Sequence, residues 1–501
     1  MKRQSFILLA LLPLLLAVQA DRYAYGSTKD CHISTQAVIN MMDSLLAIPY
    51  CDIHHVMIMQ HGEVVAEMHP APFRASDKHT VYSASKTFAS MAVGIAIDEG
   101  LLHLDDKVVS FFPDKVPDTI SDNLAAMTVR DLLTMTSGVE PDWSIRDTST
   151  DWVKDWLAKT VADKPGTRFQ YDSMCTFMLC AIVQRVTGRT LLDYLNEKLL
   201  VPMQCKDAEW EMSPDSINTG GWGLRVDTET MAKLGQLLLN KGNWKGRQLI
   251  SAAYVEEACS RLNDGGADIA VPPTDGNQGY GYQVWQSKWP GSFRADGAFG
   301  QYSVVIPEYD LVVVIMGMTV LGHSELACIW DQLLPGIYTG PVQHDAELEK
   351  QLNRLCNEAS LHKPKGEAAG TGKNVTSRRL LMEENSYGLQ WAQVDGDTLR
   401  FACKGRPVEA IPMGYGEWTY STIKGYPPYS ITAKNRMQNL NHDFVAGASY
   451  AWTTPSTIEI RIHYVNWISG TAFLFDFDKQ EAIVRDSYPR FEPVFIKFTV
   501  V

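Results

Sequence analysis

Two kinds of hydrophobic pattern follow one another along the chain. Residues 55–60 and 63–68 are apolar-rich runs on either side of a His61-Gly62 turn, and this order predicts an antiparallel hairpin. Residues 83–99 are apolar on nearly all sides and stop at Gly100, which predicts a long helix inside the core rather than on a surface.

Helical patterns then lead to a second group of strands. The helical segments include residues 128–134, 176–186 and 228–240, and the strand signals return at residues 279–286, 301–306 and 311–316. A turn at residues 307–310 joins the last two strands, and a helix at 324–334 follows them. Strands at both ends with helices between them predict an α+β unit, in which one sheet is flanked by helices.

The remainder of the chain has a different pattern. A charged helix is expected at residues 345–361 and a linker at 363–373, which is rich in Lys, Gly and Ala. Short alternating segments separated by turn residues follow, which predicts an all-β barrel or sandwich. The expected division is a signal peptide (1–20), an α+β domain (21–345), a helical segment with linker (346–373) and a C-terminal β domain (374–501).

The first twenty residues resemble a secretory signal. Lys2 and Arg3 precede an apolar run at residues 6–18, and small residues at 18 and 20 suit a signal peptidase. The alternative is an uncleaved membrane anchor, but the run is shorter than the roughly 20 residues that a span needs. The chain is therefore expected to be exported, to the periplasm or the extracellular space, with no stable membrane span after cleavage.

Composition narrows the possible partners. Hydrophobic residues make up 45% and charged residues 21% of the chain, as in an ordinary globular protein, and the net charge is −13. An acidic chain is a poor partner for nucleic acid or for an anionic membrane. The nine cysteines leave at least one unpaired and match no metal-binding spacing, so that neither a metal nor another cofactor is expected.

A Ser-x-x-Lys sequence carries the candidate chemistry. Ser83 and Lys86 are three residues apart, so that on a helix they share a face. A serine needs a base to become a nucleophile, and a lysine serves only when burial or nearby positive charge keeps it neutral. The same spacing occurs at Ser360 and Ser421, but only Ser83 begins a long core helix. Ser83 is therefore the predicted nucleophile.

Together with other segments, this motif resembles the serine β-lactamase and penicillin-binding-protein superfamily. The likeness is strongest to the class C-like esterases and 6-aminohexanoate-dimer hydrolases, and it covers roughly residues 50–338. The segments that carry it, in this order, are 82–87, 100–109, 128–138, 169–173, 220–224, 279–285 and 297–307. The resemblance implies an antiparallel sheet flanked by helices, with an all-helical insertion around residues 110–250.

The resemblance also assigns roles to residues of the second motif. Tyr171-Asp172-Ser173 stands where the family has Tyr-x-Asn, so that Tyr171 is expected to act as general base and then as proton donor. Ser173 replaces the Asn and is expected to bind Lys86 or the substrate through a shorter side chain. A tyrosine beside a buried lysine can lose its proton more easily, because the cation favours the phenolate.

The third motif departs from the family. Residues 295–298 lack the cation that β-lactamases carry there, although Gly297 still permits close approach of the backbone. The backbone N–H groups of Ala298 and Ser83 are the expected oxyanion hole. Arg294 or Asp296 is a candidate for substrate contact, and the alternative is that both are ordinary solvated charges.

Trp222 lies in a Gly-rich segment and is a candidate for a substrate pocket or for the core. The expected function is hydrolysis of a small amide, ester or peptide substrate through an acyl-enzyme. Two alternatives stay open: a class C-like β-lactamase or DD-peptidase of the cell wall, and a non-catalytic penicillin-recognition or sensor protein. The missing cation speaks against the first alternative, and the intact Ser83, Lys86 and Tyr171 speak against the second.

Overall fold

A computed structural model gives the architecture of most of the chain. The residues that it describes are 32–205, 207–266, 274–340, 342, 345–372, 377–428, 443–487 and 492–501. The predicted signal peptide lies outside these residues. Within them, no helix is both long and apolar enough to cross a membrane.

The first unit is built on a six-stranded antiparallel sheet with the order β2-β1-β11-β10-β9-β8. Its central pair is the first strand against the last, in a ladder that runs from Cys51 opposite Thr319 to Gln60 opposite Leu311. The strands of this unit are β1 (Cys51–Gln60), β2 (Glu63–Met68), β3 (His79–Thr80), β4 (Glu209–Trp210), β5 (Leu224–Val226), β6 (Asn243–Trp244), β7 (Arg247–Gln248), β8 (Trp285–Gln286), β9 (Phe293–Gly297), β10 (Gln301–Ile306) and β11 (Leu311–Thr319).

Helices cover both faces of this sheet, which confirms the predicted α+β layout. They are α1 (Thr35–Leu46), α2 (Ser85–Asp98), α3 (Asp122–Ala126), α4 (Val129–Leu133), α5 (Ser144–Thr148), α6 (Trp152–Leu157), α7 (Ser173–Thr187), α8 (Leu191–Leu195), α9 (Thr228–Leu239), α10 (Ala252–Ala258), α11 (Ser324–Cys328) and α12 (Ala346–Glu358). Successive side chains of a strand point to opposite faces. In β11, Val312 and Val314 therefore belong to the hydrophobic cluster that includes residues of α2, α7 and α9, whereas Val313 and Ile315 belong to the cluster that includes residues of α1 and α11.

The structure differs from the predicted elements at several places. The insertion around residues 110–250, expected to be all-helical, also carries the short strands β4, β5, β6 and β7. The predicted helix from residue 83 begins as a 3₁₀ turn, Tyr82–Ala84, and becomes α-helical only at Ser85. Of the predicted strand at residues 279–286, only Trp285–Gln286 pairs with a neighbour as a strand. At Tyr82–Ala84, hydrogen bonds to β5, described below, hold the backbone in this irregular conformation.

The second unit is the predicted C-terminal β domain. One sheet has the order β15-β14-β13-β12-β22-β21-β20-β19-β18-β16, with β17 beside β18, and β15 also approaches β17 and β18, so that the sheet closes into a near-barrel. Its strands are β12 (Arg379–Met382), β13 (Leu389–Asp395), β14 (Thr398–Cys403), β15 (Glu409–Pro412), β16 (Gly414–Tyr415), β17 (Thr419–Thr422), β18 (Val445–Thr454), β19 (Thr457–Tyr464), β20 (Gly470–Asp476), β21 (Glu481–Asp486) and β22 (Val494–Val500).

The β domain packs directly against the first unit. Its hydrophobic core takes in Tyr82 and Met318 from that unit, and the Tyr82 ring meets Phe299 edge to face at 5.2 Å between centroids. Arg225 of β5 donates a hydrogen bond of 2.7 Å to the backbone oxygen of Asn466. The predicted linker lies against the β domain, because Glu367 forms an antiparallel β-bridge with Trp452. The exact domain boundaries stay predictions.

Candidate active site

Ser83 lies in a turn that is hydrogen-bonded to the neighbouring strand β5. The N–H of Val81 donates to the carbonyl of Leu224 at 3.0 Å, and the N–H of Leu224 donates to the Ser85 hydroxyl at 3.2 Å. Tyr82, between them, has a φ of 45°, in the left-handed region that a bulky side chain rarely adopts. These contacts hold the strained turn and leave the Ser83 side chain only half-buried.

Lys86 lies next to Ser83 and is almost completely buried. Its Nζ donates to the Ser83 Oγ at 3.0 Å, to the Ser173 Oγ at 3.0 Å and to the carbonyl oxygen of Gly221 at 2.6 Å. Burial lowers the pKa of Lys86 to about 7, although the charge of Asp172 acts in the opposite direction. A large share of the Lys86 side chains is therefore neutral near pH 7 and able to accept a proton.

The second motif lies at the beginning of α7. The Asp172 carboxylate caps this helix by accepting a hydrogen bond of 2.9 Å from the N–H of Met174, and Ser173 is its first residue. An aspartate is among the favoured residues for such a cap. Burial raises the pKa of Asp172, while the helix N–H and Lys86 lower it. The cap therefore fixes Ser173 where its hydroxyl meets Lys86.

Tyr171 completes the group around Ser83. Its side chain is half-buried, its ring centroid lies 4.7 Å from the Lys86 Nζ, and the centroids of the Tyr171 and Trp285 rings are 5.5 Å apart. Burial raises the pKa of Tyr171 well above its ordinary value, and the Ser83 and Trp285 side chains offset only part of that effect. The hydroxyl is therefore protonated at neutral pH. The expectation that Lys86 makes this tyrosine more acidic is not matched by the direction of the shift.

Strand β9 comes close to the nucleophile turn at Gly297. A Cβ added at Gly297 would lie 2.2 Å from the Val81 carbonyl oxygen and 3.2 Å from the Ala84 nitrogen, so that only a glycine fits there without a shift of backbone. Ala298 follows directly and is exposed. The predicted oxyanion donors, the N–H groups of Ser83 and Ala298, thus belong to two segments in close contact. Their joint role stays a prediction.

Asp296 and Arg294 are not ordinary solvated charges. Arg294 is fully buried and donates from Nε to the Asp296 carboxylate at 2.8 Å, while the His323 Nε2 lies 3.2 Å from the same oxygen. Burial raises the pKa of Asp296, but Arg294 and His323 outweigh it, so that the pKa lies below its usual value. The alternative that both are ordinary solvated charges is therefore wrong, and contact of either residue with the substrate stays a prediction. The carboxylate that stands near the family's cation position is already engaged by two partners.

Trp222 is a buried member of an aromatic group beside the site. Its ring centroid lies 5.9 Å from that of Trp152 and 6.1 Å from that of the exposed Trp143, and the Arg146 guanidinium lies 5.3 Å from the Trp222 ring. The preceding residue, Gly221, supplies the carbonyl that binds Lys86. Trp222 therefore packs as a core residue whose own segment borders the catalytic group.

The other two Ser-x-x-Lys serines lie elsewhere. Ser360 donates to the carbonyl oxygens of Ala71 and Leu361, and Ser421 lies in strand β17.

Sequence reasoning missed three groups that act on Lys86 or Tyr171: the Gly221 carbonyl, the Asp172 cap and the Trp285 side chain. The Asp172 signal was available, because an aspartate before an apolar helix predicts an N-cap. Among the described residues, no three His, Cys, Asp or Glu side chains are placed to hold a metal ion.

Comparisons with known proteins agree with this geometry. The Beta-lactamase family model matches residues 55–325. The chain therefore belongs to the β-lactamase family, and it is a serine hydrolase as the members of that family are.

Individual relatives are identical to this chain at about a quarter of the aligned positions. A 6-aminohexanoate-dimer hydrolase of Paenarthrobacter ureafaciens is 25% identical over 281 residues, which covers 52% of this chain and 70% of that protein. Protein flp of Staphylococcus aureus strain MW2 is 27% identical over 168 residues, 31% of this chain and only 33% of that protein.

Solved structures with a similar fold are more distant in sequence. A putative 6-aminohexanoate-dimer hydrolase from Bacillus anthracis has a TM-score of 0.49 at 17% identity and covers 68% of this chain and 89% of its own. An octameric penicillin-binding protein homologue from Pyrococcus abyssi has a TM-score of 0.46 at 17% identity and covers 92% of this chain and 98% of its own.

Proposed function

We propose that this enzyme hydrolyses an amide or ester bond of a small substrate through an acyl intermediate on Ser83. The observation that carries the proposal is the Lys86 amine, 3.0 Å from the Ser83 hydroxyl and with a pKa lowered to about 7. A base poised near the working pH combines the correct protonation state with the driving force for proton transfer.

The proton would move first from Ser83 to neutral Lys86 while Oγ attacks the substrate carbonyl carbon. Protonated Tyr171 would then give its proton to the leaving nitrogen or oxygen as the bond breaks, and Lys86 would return a proton to the tyrosine. Lys86 is the better first acceptor because burial raises the pKa of Tyr171 and lowers that of Lys86. The N–H groups of Ser83 and Ala298 would hold the negative oxygen.

The second half of the reaction would reverse these roles. Water takes the place of the leaving group, loses a proton to the Lys86–Tyr171 pair and attacks the acyl carbon, and Ser83 leaves with that proton. Atoms balance: one water is consumed, and an acid is released together with an amine or alcohol. No cofactor takes part in these steps.

Short amides are the first substrates to test. The relative from Paenarthrobacter ureafaciens is named for an amide-linked dimer of 6-aminohexanoate, and this chain covers 70% of it. Hydrolysis of β-lactams is the competing activity. The absence of a cation from residues 295–298 and the engaged Asp296 carboxylate both speak against it, because that cation helps hold the β-lactam carboxylate in the family.

The test compares wild type, Ser83→Ala and Ser421→Ala. Each is incubated with a fluorophosphonate and assayed by intact mass, and each is given p-nitrophenyl acetate, p-nitrophenyl butyrate, short amides and nitrocefin. We expect one adduct and ester turnover in the wild type and in Ser421→Ala, and neither in Ser83→Ala. Labelling of Ser83→Ala would place the nucleophile elsewhere, and rapid nitrocefin turnover would favour a β-lactamase. A folded wild type that neither labels nor turns over would favour a binding protein.

We also propose that the chain is exported after cleavage of residues 1–20. The support is the sequence of that segment, with Lys2 and Arg3 before the apolar run. Expression of the full chain followed by N-terminal sequencing of the secreted protein tests this proposal. A mature protein that begins near residue 21 is expected, whereas an intact N-terminus in the membrane fraction would favour an anchor.

A further inference from the structure

A cavity lies between the catalytic unit and the β domain, away from the group around Ser83. Its volume is about 460 Å³, and neither Ser83, Lys86 nor Tyr171 lines it. The catalytic unit contributes Tyr50, Asp52 and Met318 to its wall, and the β domain contributes Arg461, His463 and Arg485. This volume is within the range of roughly 300–1,000 Å³ that is usual for small-molecule sites.

The β domain supplies a floor of small residues between two arginines. Ala472 of β20 is directly opposite Arg461 of β19 on one side and Arg485 of β21 on the other. Residues that are directly opposite share a face of the sheet, and neighbouring strands are about 4.8 Å apart, so that the two arginine backbones lie about 10 Å from each other. In the next row, Gly470 is opposite His463. A trough therefore runs along β20, with one arginine on each side of it.

The remaining polar groups decide which ligand suits the trough. The Nε of Arg461 donates a hydrogen bond of 2.7 Å to the Glu459 carboxylate, whereas the Arg485 side chain is exposed. His463 adds no charge, because burial and Arg461 lower its pKa to about 3. The Asp486 carboxylate is occupied by the hydroxyls of Thr471 and Tyr387.

One acidic side chain faces this floor from the catalytic unit. Asp52 is half-buried in the cavity wall; burial raises its pKa to about 6, and the nearby charge of Arg461 acts in the opposite direction, so that the carboxylate is mostly charged above pH 7. Glu492 is exposed at the rim. A carboxylate on one side and two guanidinium groups on the other give the cavity separate negative and positive poles.

We propose that this cavity is a binding site for a zwitterionic amino acid, with the ligand carboxylate between Arg461 and Arg485 and its ammonium group at Asp52. Guanidinium groups bind carboxylates in a planar geometry that a single ammonium cannot match. The trough floor of Gly470 and Ala472 leaves room for the ligand chain. The proposal is independent of the reaction proposed for Ser83.

The experiment is titration calorimetry on the full-length chain after its Ser83 has been blocked with a fluorophosphonate. The probes are glycine, β-alanine, 4-aminobutyrate and 6-aminohexanoate, with acetate and ethylamine as ligands that carry only one of the two charges. We expect saturable one-to-one binding for at least one amino acid, at least tenfold tighter than for acetate or ethylamine.

Three variants assign the site. Arg485→Met is expected to weaken amino-acid binding at least tenfold, and Asp52→Asn to weaken the amino acid but not acetate. Arg400→Met, at an exposed position of β14, is the matched control and is expected to leave binding unchanged. Circular dichroism checks that each variant is folded. The proposal is overturned if no amino acid binds, if acetate binds as tightly, or if binding survives Arg485→Met.

Discussion

The reactivity of Ser83 should follow the protonation state of Lys86. Burial lowers the pKa of Lys86 to about 7, and only the neutral amine can accept the serine proton. A single group with that pKa is neutral in about 1% of molecules at pH 5, in about half at pH 7 and in about 99% at pH 9. The rate constant for labelling by a fluorophosphonate is therefore expected to rise about 50-fold from pH 5 to pH 7, and only about twofold from pH 7 to pH 9.

The assay measures the second-order rate constant for adduct formation by intact mass, between pH 5 and 9.5 at constant ionic strength. Free enzyme is the reacting species, so that the midpoint reports a pKa of the free enzyme. Lys86→Arg keeps a positive charge at this position but stays charged at every pH in the series. We expect this variant to react at least 100-fold more slowly, without the rise through pH 7.

Two results would refute this reasoning. A wild-type midpoint near 10 would mean that the lysine has an ordinary pKa in the folded enzyme, despite its burial. A rise through pH 7 that persists in Lys86→Arg would assign the base to another group, and Tyr171→Phe would then be the next variant to measure.

Three further predictions concern the groups around Lys86 and the interface between the two units. Ser173→Ala removes an acceptor of the Lys86 amine and should lower kcat/KM for p-nitrophenyl acetate about tenfold. Ser173→Asn should retain most of the activity. Equal kcat/KM values in the wild type and both variants would contradict the proposed role of Ser173 in holding Lys86. Lys86→Met should raise the melting temperature by about 5 °C at pH 6 and much less at pH 10. The reason is that the lysine pKa is lower in the folded state than in the unfolded state, so that its ammonium form costs up to about 5 kcal/mol below pH 7 and nothing above about pH 10.5. Scanning calorimetry measures this difference, with the exposed Lys241→Met as control, and a gain that is the same at both pH values would contradict it. Arg225→Met should cost about 2 kcal/mol in urea unfolding, because it removes the buried guanidinium that pairs with Glu209 and donates to the Asn466 carbonyl, while Lys78 still pairs with Glu209. The exposed Arg247→Met should cost little, and equal losses would contradict the prediction.

The local pattern of hydrophobic residues was sufficient to predict the large features of this fold. The apolar run after Ser83 predicted a buried helix, and α2 is buried along almost its whole length. The change to short alternating segments predicted the β domain, because strands and helices have different periods. The same reasoning selected Ser83 among three serines, since only this one directly precedes a core helix, and its role as nucleophile stays a prediction.

The details of the site depend on contacts between distant parts of the sequence. The Gly221 carbonyl that binds Lys86 is 135 residues away along the chain, and no local signal marks it. The turn at Tyr82–Ala84 is 3₁₀ rather than α-helical because Val81 is fastened to Leu224 of β5. Alternation along β9 likewise gave no sign that Arg294 and Asp296 are paired and enclosed rather than solvated.

The side chain next to the nucleophile belongs to the core of the other unit. Tyr82 holds a backbone conformation that is unfavourable for its size, and its ring packs in the hydrophobic cluster of the β domain. A recombination that replaced this β domain by an unrelated module would therefore also remove the packing that keeps Ser83 in place. The hydrolase and its C-terminal domain are expected to be inherited together, with residues 82 and 299 changing only in step with the surface that covers them.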